Sequence, residues 1–119
     1  MANQNAKGVK RIVNACLFSM AGFKAVWKHE EAFRQEVCLL IVAIPVALWL
    51  TGNNIERVLL IGSVVVVLLV ELFNSAIEAT IDRIGLEHHE LSGRAKDIGS
   101  SAVMLSLALA AFTWALILI

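Results

Sequence analysis

The sequence has little charge and carries no net charge. Charged residues make up 17% of its 119 residues, hydrophobic residues make up 59%, and the mean hydropathy is +0.78. A soluble domain of this length would need more polar surface to cover its small core. A formal net charge of zero gives no reason to expect nucleic-acid binding. We therefore expect residues 1–119 to form a single membrane-embedded domain that binds no nucleic acid.

Cysteine pairs and the common nucleotide-binding motifs are also missing. Cys16 and Cys38 are far apart and form no CxxC motif, so we interpret both as small apolar residues within helices. We expect no cleavable signal peptide, because lysine and arginine are spread through the first apolar stretch. The sequence contains no GxxxxGK[ST] motif, no glycine-rich loop of the protein-kinase type and no HRD motif.

Three long apolar segments are present instead, and a membrane-spanning helix needs about 20 such residues. The first, VCLLIVAIPVALWL, is extended at its start by AFRQE; the second begins at Val58; the third, from Ile98 to Ile119, has no charged residue. We predict an all-α membrane protein with spans over 31–51, 56–84 and 95–119. Between the spans lie the short connector TGNNIER and the longer polar stretch DRIGLEHHELSGRAKD.

Residues 7–29 have a different pattern. Their apolar residues recur at intervals of three and four, which forms one stripe on an α-helix. Lysine and arginine lie mostly off that stripe. The pattern predicts a basic amphipathic helix in the headgroup region, with packing of the stripe against other protein as the alternative. The stripe consists of Val9, Ile12, Val13, Cys16, Leu17, Met20, Phe23 and Trp27.

The distribution of lysine and arginine predicts the orientation in the membrane. Residues 1–36 contain six of them, the 82–97 stretch contains three, and the 51–57 connector contains only Arg57. By the positive-inside rule, the N-terminus and the 82–97 stretch are cytoplasmic. The short connector and the C-terminus then face the opposite side, which three spans allow.

The second apolar segment contains acidic residues where hydrocarbon should surround it. At about 100° per residue, Glu71, Asn74, Glu78 and Asp82 lie at about 0°, 300°, 340° and 20°, on one helix face. An ionised carboxylate facing lipid costs about 3 kcal/mol or more, so this face must contact protein, water or a cation. Because three spans offer little interior, we expect further copies of the chain to cover it.

Several functions would explain such an acidic face. A buried polar seam that fixes assembly is one, although two glutamates seven residues apart repel each other. A small proton-coupled transporter and a non-catalytic assembly subunit are others. Phosphoryl transfer fits better, because one carboxylate can accept a proton from a lipid hydroxyl and another can hold Mg²⁺. Further charged residues are predicted at the same membrane face: Glu30, Glu31, Lys96 and Asp97.

At these residues the sequence resembles the bacterial integral-membrane diacylglycerol kinases. The resemblance covers nearly the whole chain and depends on EEAFRQE (30–36), RVLLI (57–61), VELFNSAIEATIDRIG (70–85) and EHHELSGRAKDIGSSAV (87–103). It implies a homotrimer in the bacterial inner membrane, with active sites shared between neighbouring chains. It also implies transfer of the γ-phosphate of ATP to diacylglycerol, giving phosphatidic acid for lipid recycling. Undecaprenol kinases share the acidic core motif and are the alternative.

The resemblance also implies roles for particular residues. Glu71 would be the general base with Asn74 beside it, and Glu30 and Glu78 would hold the Mg²⁺ that bridges ATP. Nucleotide contacts are implied at Arg11, Phe18, Glu30, Glu78, Glu87, His88, His89, Lys96 and Asp97. Lipid-substrate contacts are implied at Arg11, Ala15, Ser19, Lys24, Trp27, Ala32, Phe33, Arg34, Gln35, Glu36, Trp49, Arg57, Glu71, Ser100 and Trp114.

Some positions depart from the family pattern. Phe18 stands where a tyrosine is expected, so a hydroxyl contact to the nucleotide is lost. His88 replaces an aromatic residue and Met20 replaces a tryptophan, whereas Lys24 replaces an arginine and keeps its charge. None of these changes falls on the acidic face.

Overall fold

The computed structural model describes residues 6–85 and 87–119, and this part of the chain contains four α-helices. They are α1 (Gly8–His29), α2 (Glu31–Leu50), α3 (Asn54–Ile84) and α4 (Glu90–Leu118). The helices divide between two compact units, one containing α1 and one running from Ala32 to Ile119. The expected all-helical fold is confirmed for the described residues.

Three of the helices, α2, α3 and α4, are long and apolar enough to cross a membrane. At about 1.5 Å per residue, the 31 residues of α3 extend over about 46 Å, which exceeds a hydrocarbon core of about 30 Å. At least one end of α3 therefore projects beyond the hydrocarbon. With three such helices the chain is a multi-pass membrane protein.

Two side chains set helix starts that lie before the starts of the predicted membrane spans. The Nδ1 atom of His89 accepts a hydrogen bond from the backbone N–H of Leu91 at 3.0 Å, so α4 begins at Glu90 rather than at residue 95. The Oδ1 atom of Asn53 accepts from the N–H groups of Ile55 and Glu56, so α3 begins at Asn54 rather than at residue 56. Most of the polar 82–97 stretch is consequently helical.

Arg57 fixes the connection between α2 and α3. Its Nε atom donates to the Thr51 carbonyl at 2.8 Å, and its Nη2 atom donates to the Leu48 carbonyl at 3.0 Å. Its Nη1 atom contacts Asn54 Oδ1 at 3.3 Å. A guanidinium group bound to the last carbonyls of α2 also complements the negative end of that helix. The two helices are therefore held as antiparallel neighbours.

Helices α3 and α4 are also antiparallel. The indole Nε1 of Trp114 donates to the Leu60 carbonyl at 3.0 Å, and Lys96 Nζ lies 3.0 Å from Asp82 Oδ1. The buried positions of α4 are small, which lets the two helix backbones approach closely; they are Gly99, Ser106 and Ala110. The end of α3 that contains the acidic face therefore lies beside the start of α4.

Candidate active site

Glu71 is buried within the single chain, with 4% of its surface exposed. Its neighbours on the buried face of α3 include Val67, one turn before it, and Ser75, one turn after it. The expectation that this part of the acidic face points away from lipid is confirmed. The argument that further copies are needed to cover it was wrong for Glu71, because α2 to α4 already do so. Oligomerisation stays a prediction.

Asn74 holds the Glu71 carboxylate from the next turn of α3. Its Nδ2 atom donates to Glu71 Oε2 over 3.5 Å, a long hydrogen bond. The other side of the same amide faces α4, because a Cβ atom added at Gly99 would overlap Asn74 Oδ1. Gly99 thus provides the space that this orientation of Asn74 requires. The sequence gives no sign of this role beyond a glycine inside a helical segment.

Gly99→Ala is expected to lower activity more than stability. The added methyl group must displace the Asn74 amide, and the end of a side chain moves at less cost than a helix backbone does. The hydrogen bond from Asn74 to Glu71 is then lost, and the Glu71 carboxylate is no longer held in position. Such a misplaced catalytic group reduces turnover by up to about 10²-fold. The measurements are turnover and the thermal unfolding temperature in detergent micelles.

The matched control for this change is Gly62→Ala on α3, where an added Cβ meets nothing within 4 Å. It should leave turnover unchanged. A double-mutant cycle gives the second control, since Gly99→Ala should cost nothing further once Asn74→Ala has removed the amide. Additive losses in the double mutant would contradict the proposed contact.

A second carboxyl group reaches Glu71 from α2. Glu36 is buried, as is Phe33 on the same helix face. The Glu36 carboxyl is close enough to Glu71 for the charge of one to act on the other. Its Oε1 atom has no hydrogen-bond partner among the described residues. Both Phe33 and Glu36 are predicted lipid contacts, and both are buried.

The acidic face becomes more exposed along α3. Glu78 is half-buried, and Asp82 is exposed. Asp82 forms the ion pair with Lys96, whose side chain keeps 43% of its surface exposed. An exposed pair of this kind contributes little to stability, but it holds the Lys96 ammonium group beside α3. Asp82 was not among the predicted nucleotide contacts, and its pairing with Lys96 depends on a long-range approach that the sequence does not reveal.

A cavity of about 240 Å³ opens at this end of the unit. Four predicted nucleotide contacts line it, namely Glu87, His88, His89 and Lys96. Because Nδ1 of His89 accepts the capping hydrogen bond, a neutral His89 ring carries its proton on Nε2. The cavity therefore combines an ammonium group, imidazole rings and carboxylates where α3 ends and α4 begins. Its remaining lining residues are Ile81, Asp82, Gly85, Ser92 and Gly93.

A second cavity, of about 330 Å³, is entirely apolar. Trp114, a predicted lipid contact, lines it, and the only polar atom of that ring is bonded to the Leu60 carbonyl. Such a lining suits an acyl chain rather than a polar group. The other lining residues are Leu39, Val42, Ala43, Val46, Val64, Leu107, Ala110 and Ala111.

Other predicted contacts differ in position along the chain and in exposure. Trp49 is 83% exposed and, with Arg57, lies at the far end of α2 and α3. Arg57 is about 21 Å from Glu71 along the axis of α3. Ala32, Gln35, Asp97 and Ser100 are exposed, and Arg34 is half-buried. The predicted contacts in the α1 unit are Arg11, Ala15, Phe18, Ser19, Lys24, Trp27 and Glu30.

The metal site expected at Glu30 and Glu78 stays a prediction. Within residues 6–85 and 87–119 no group of three or more histidine, cysteine, aspartate or glutamate side chains is placed to hold a metal ion. Two carboxylates nevertheless fit Mg²⁺ chemically, since this ion takes oxygen ligands and usually completes its shell with water and substrate phosphates.

Comparison with known proteins links this arrangement to one family. A family model described as "Prokaryotic diacylglycerol kinase" matches residues 17–118. The chain is 52% identical to the diacylglycerol kinase of Escherichia coli strain K12 over 118 residues, covering 99% of this chain and 96% of that protein. It is 52% identical over 112 residues to the Pseudomonas aeruginosa protein of the same name, covering 94% and 91%. For the Haemophilus influenzae protein the identity is 44% over 107 residues, covering 90% and 91%.

Proposed function

The chain belongs to the prokaryotic diacylglycerol kinase family, and from this membership we propose that it phosphorylates diacylglycerol with ATP. The product is phosphatidic acid, formed at the cytoplasmic face of a bacterial inner membrane during lipid recycling. The observation that carries the proposal is a buried carboxylate, Glu71, held by Asn74 in a membrane-spanning helix. In this proposal the lipid hydroxyl approaches that carboxylate, and the nucleotide enters the polar cavity at the acidic end of α3.

The proposed reaction begins at the Glu71 carboxylate. It accepts the proton of the diacylglycerol hydroxyl while the hydroxyl oxygen forms a bond to the γ-phosphorus of ATP. The bond from that phosphorus to the bridging oxygen breaks, and ADP leaves with the electron pair. Asn74 holds the carboxylate in place, and burial excludes water that would otherwise compete as acceptor.

Positive charge at the cytoplasmic end supports the nucleotide. Lys96, fixed beside α3 by Asp82, lines the polar cavity together with His89 and Glu87. Arg11 of the α1 unit would add a second cation. Glu30 and Glu78 would hold Mg²⁺, which neutralises phosphate charge when bound. Phosphoryl transfer depends mainly on such positioning and electrostatic stabilisation.

The proposal includes the assembly and the orientation. The enzyme is a homotrimer with sites shared between chains, the N-terminus is cytoplasmic, and the C-terminus is periplasmic. Helix α1 lies on the membrane surface with its apolar residues toward the lipid. In support, the described lysine and arginine residues are concentrated at the acidic end of α3 and in α1. Crosslinking in a native-like bilayer tests the assembly; recovery of monomer alone would contradict it.

The activity is tested with purified protein in mixed lipid–detergent micelles. Diacylglycerol and ATP labelled at the γ-phosphate are supplied with Mg²⁺, and labelled phosphatidic acid is the expected product. A parallel reaction offers undecaprenol, and label in polyprenyl phosphate rather than in phosphatidic acid would assign the chain to that substrate. Absence of labelled lipid in both reactions would contradict lipid kinase activity.

A further inference from the structure

Ser75 is the buried serine whose hydroxyl is not bonded to its own helix. Three serines are buried among the described residues: Ser63, Ser75 and Ser106. Ser63 donates to the Leu60 carbonyl at 3.0 Å, and Ser106 donates to the Val103 carbonyl at 2.7 Å. This is the usual solution for a serine inside a helix. The Ser75 hydroxyl has no hydrogen-bond partner within residues 6–85 and 87–119, although leaving a buried hydroxyl unpaired opposes folding.

The position of Ser75 relates it to the proposed reaction. It follows Glu71 by four residues and precedes Glu78 by three, on the same face of α3. Along the helix axis it lies about 6 Å beyond Glu71 and about 4.5 Å before Glu78. The hydroxyl is therefore between the proton acceptor and the carboxylate proposed to hold Mg²⁺. The phosphoryl group must cross this interval on its way from ATP to the lipid.

We propose that Ser75 is a further catalytic residue, whose hydroxyl donates a hydrogen bond to an oxygen of the phosphoryl group during transfer. The proposal rests on the proposed kinase function. The bonds made and broken are those already described, and the proton of the lipid hydroxyl still goes to Glu71. Ser75 keeps its own proton throughout and forms no bond to phosphorus.

A neutral donor is chemically suited to this position. The phosphoryl group in transfer carries negative charge on its equatorial oxygens. Glu71 and Glu78 lie four residues before and three residues after Ser75 on the same face of α3, and a carboxylate repels such charge. A hydroxyl between them offers a donor directed at the developing charge. Because no described group of the chain is bonded to it, the hydroxyl can serve the transition state without first leaving another partner.

Ser75→Ala tests the proposal. Loss of one fixed donor to a transition-state oxygen lowers kcat by about 10²-fold. The KM values for ATP and diacylglycerol should stay nearly unchanged, because the hydrogen bond strengthens only in the transition state. The thermal unfolding temperature should stay the same or rise, since the substitution removes an unpaired buried polar atom.

Ser63→Ala and Ser106→Ala are the matched controls. They make the same change at buried serines that already have a backbone partner, and both should retain wild-type kcat. A Ser75→Ala protein with wild-type kcat would overturn the inference. A lowered unfolding temperature with loss of the oligomer would also overturn it, because a neighbouring copy would then be the partner.

Two further results separate this inference from the function on which it rests. A raised KM for diacylglycerol at unchanged kcat would assign the hydroxyl to the lipid in the ground state and contradict a role in phosphoryl transfer. Wild-type protein that labels no lipid would overturn the kinase proposal and the Ser75 role with it. Active wild-type protein with a fully active Ser75→Ala variant would overturn the Ser75 role alone.

Discussion

Glu71→Gln is expected to lower the turnover of diacylglycerol by about 10²- to 10⁴-fold, the range that general-base catalysis contributes. Glutamine has nearly the same shape as glutamate, and its Oε1 atom can still accept the hydrogen bond from Asn74. It cannot accept a proton from the lipid hydroxyl at neutral pH. The folded structure and the oligomer should therefore persist while the chemical step is lost. The measurement is the rate of labelled phosphatidic acid formation, with the unfolding temperature recorded on the same sample.

Glu56→Gln is the matched control for Glu71→Gln. Glu56 lies in the first turn of α3, and its Oε1 atom accepts a hydrogen bond from Thr51 Oγ1 at 2.6 Å. It is a glutamate of the same helix at the end remote from the site, so its replacement should leave turnover unchanged. If Glu71→Gln retained wild-type turnover, Glu71 would not be the base. Equal losses in both variants would indicate a general effect of charge removal from α3.

The inward direction of Glu71 could be predicted from the sequence. Helical geometry places Glu71, Asn74 and Glu78 on one side, and the cost of an ionised group in hydrocarbon excludes the lipid as their surroundings. What covers Glu71 could not be predicted in this way. The position of Asn74 beside it depends on the close approach of α4 at Gly99, and a small residue becomes informative only when the opposite side chain is known.

Helix boundaries and long-range pairs also depend on side-chain contacts that the sequence does not reveal. Composition marked 82–97 as polar, which is typical of a connector, yet α4 already begins at Glu90 within it. The start of α4 is determined by one imidazole, that of His89, acting as a cap. Likewise, the resemblance implies a lipid contact at Arg57, which stays a prediction. Its hydrogen bonds to Thr51 and Leu48, which close the α2–α3 connection, could not be predicted from the sequence.

Glu78→Gln is expected to reduce turnover by about 10²- to 10³-fold at ordinary Mg²⁺ concentration. A proposed metal ligand loses its charge but keeps an oxygen donor, so Mg²⁺ binds more weakly and several kcal/mol of charge stabilisation are lost. Raising the Mg²⁺ concentration should recover part of the activity. The measurement is turnover as a function of Mg²⁺ at saturating ATP. Glu90→Gln is the control. Glu90 lies at the start of α4, its side chain is 88% exposed, and its contact with Arg94 is a long, exposed ion pair of 3.9 Å.

The two glutamate variants together distinguish the two roles on one helix face. A missing base cannot be replaced by a metal ion, so Glu71→Gln should stay inactive at every Mg²⁺ concentration. Glu78→Gln should shift the Mg²⁺ dependence, because its defect is in metal affinity. An unshifted Mg²⁺ dependence for Glu78→Gln would remove Glu78 from the metal site. Recovery of Glu71→Gln by Mg²⁺ would make Glu71 a metal ligand, and the proton acceptor would then have to be sought at Glu36, the other buried carboxyl group beside it.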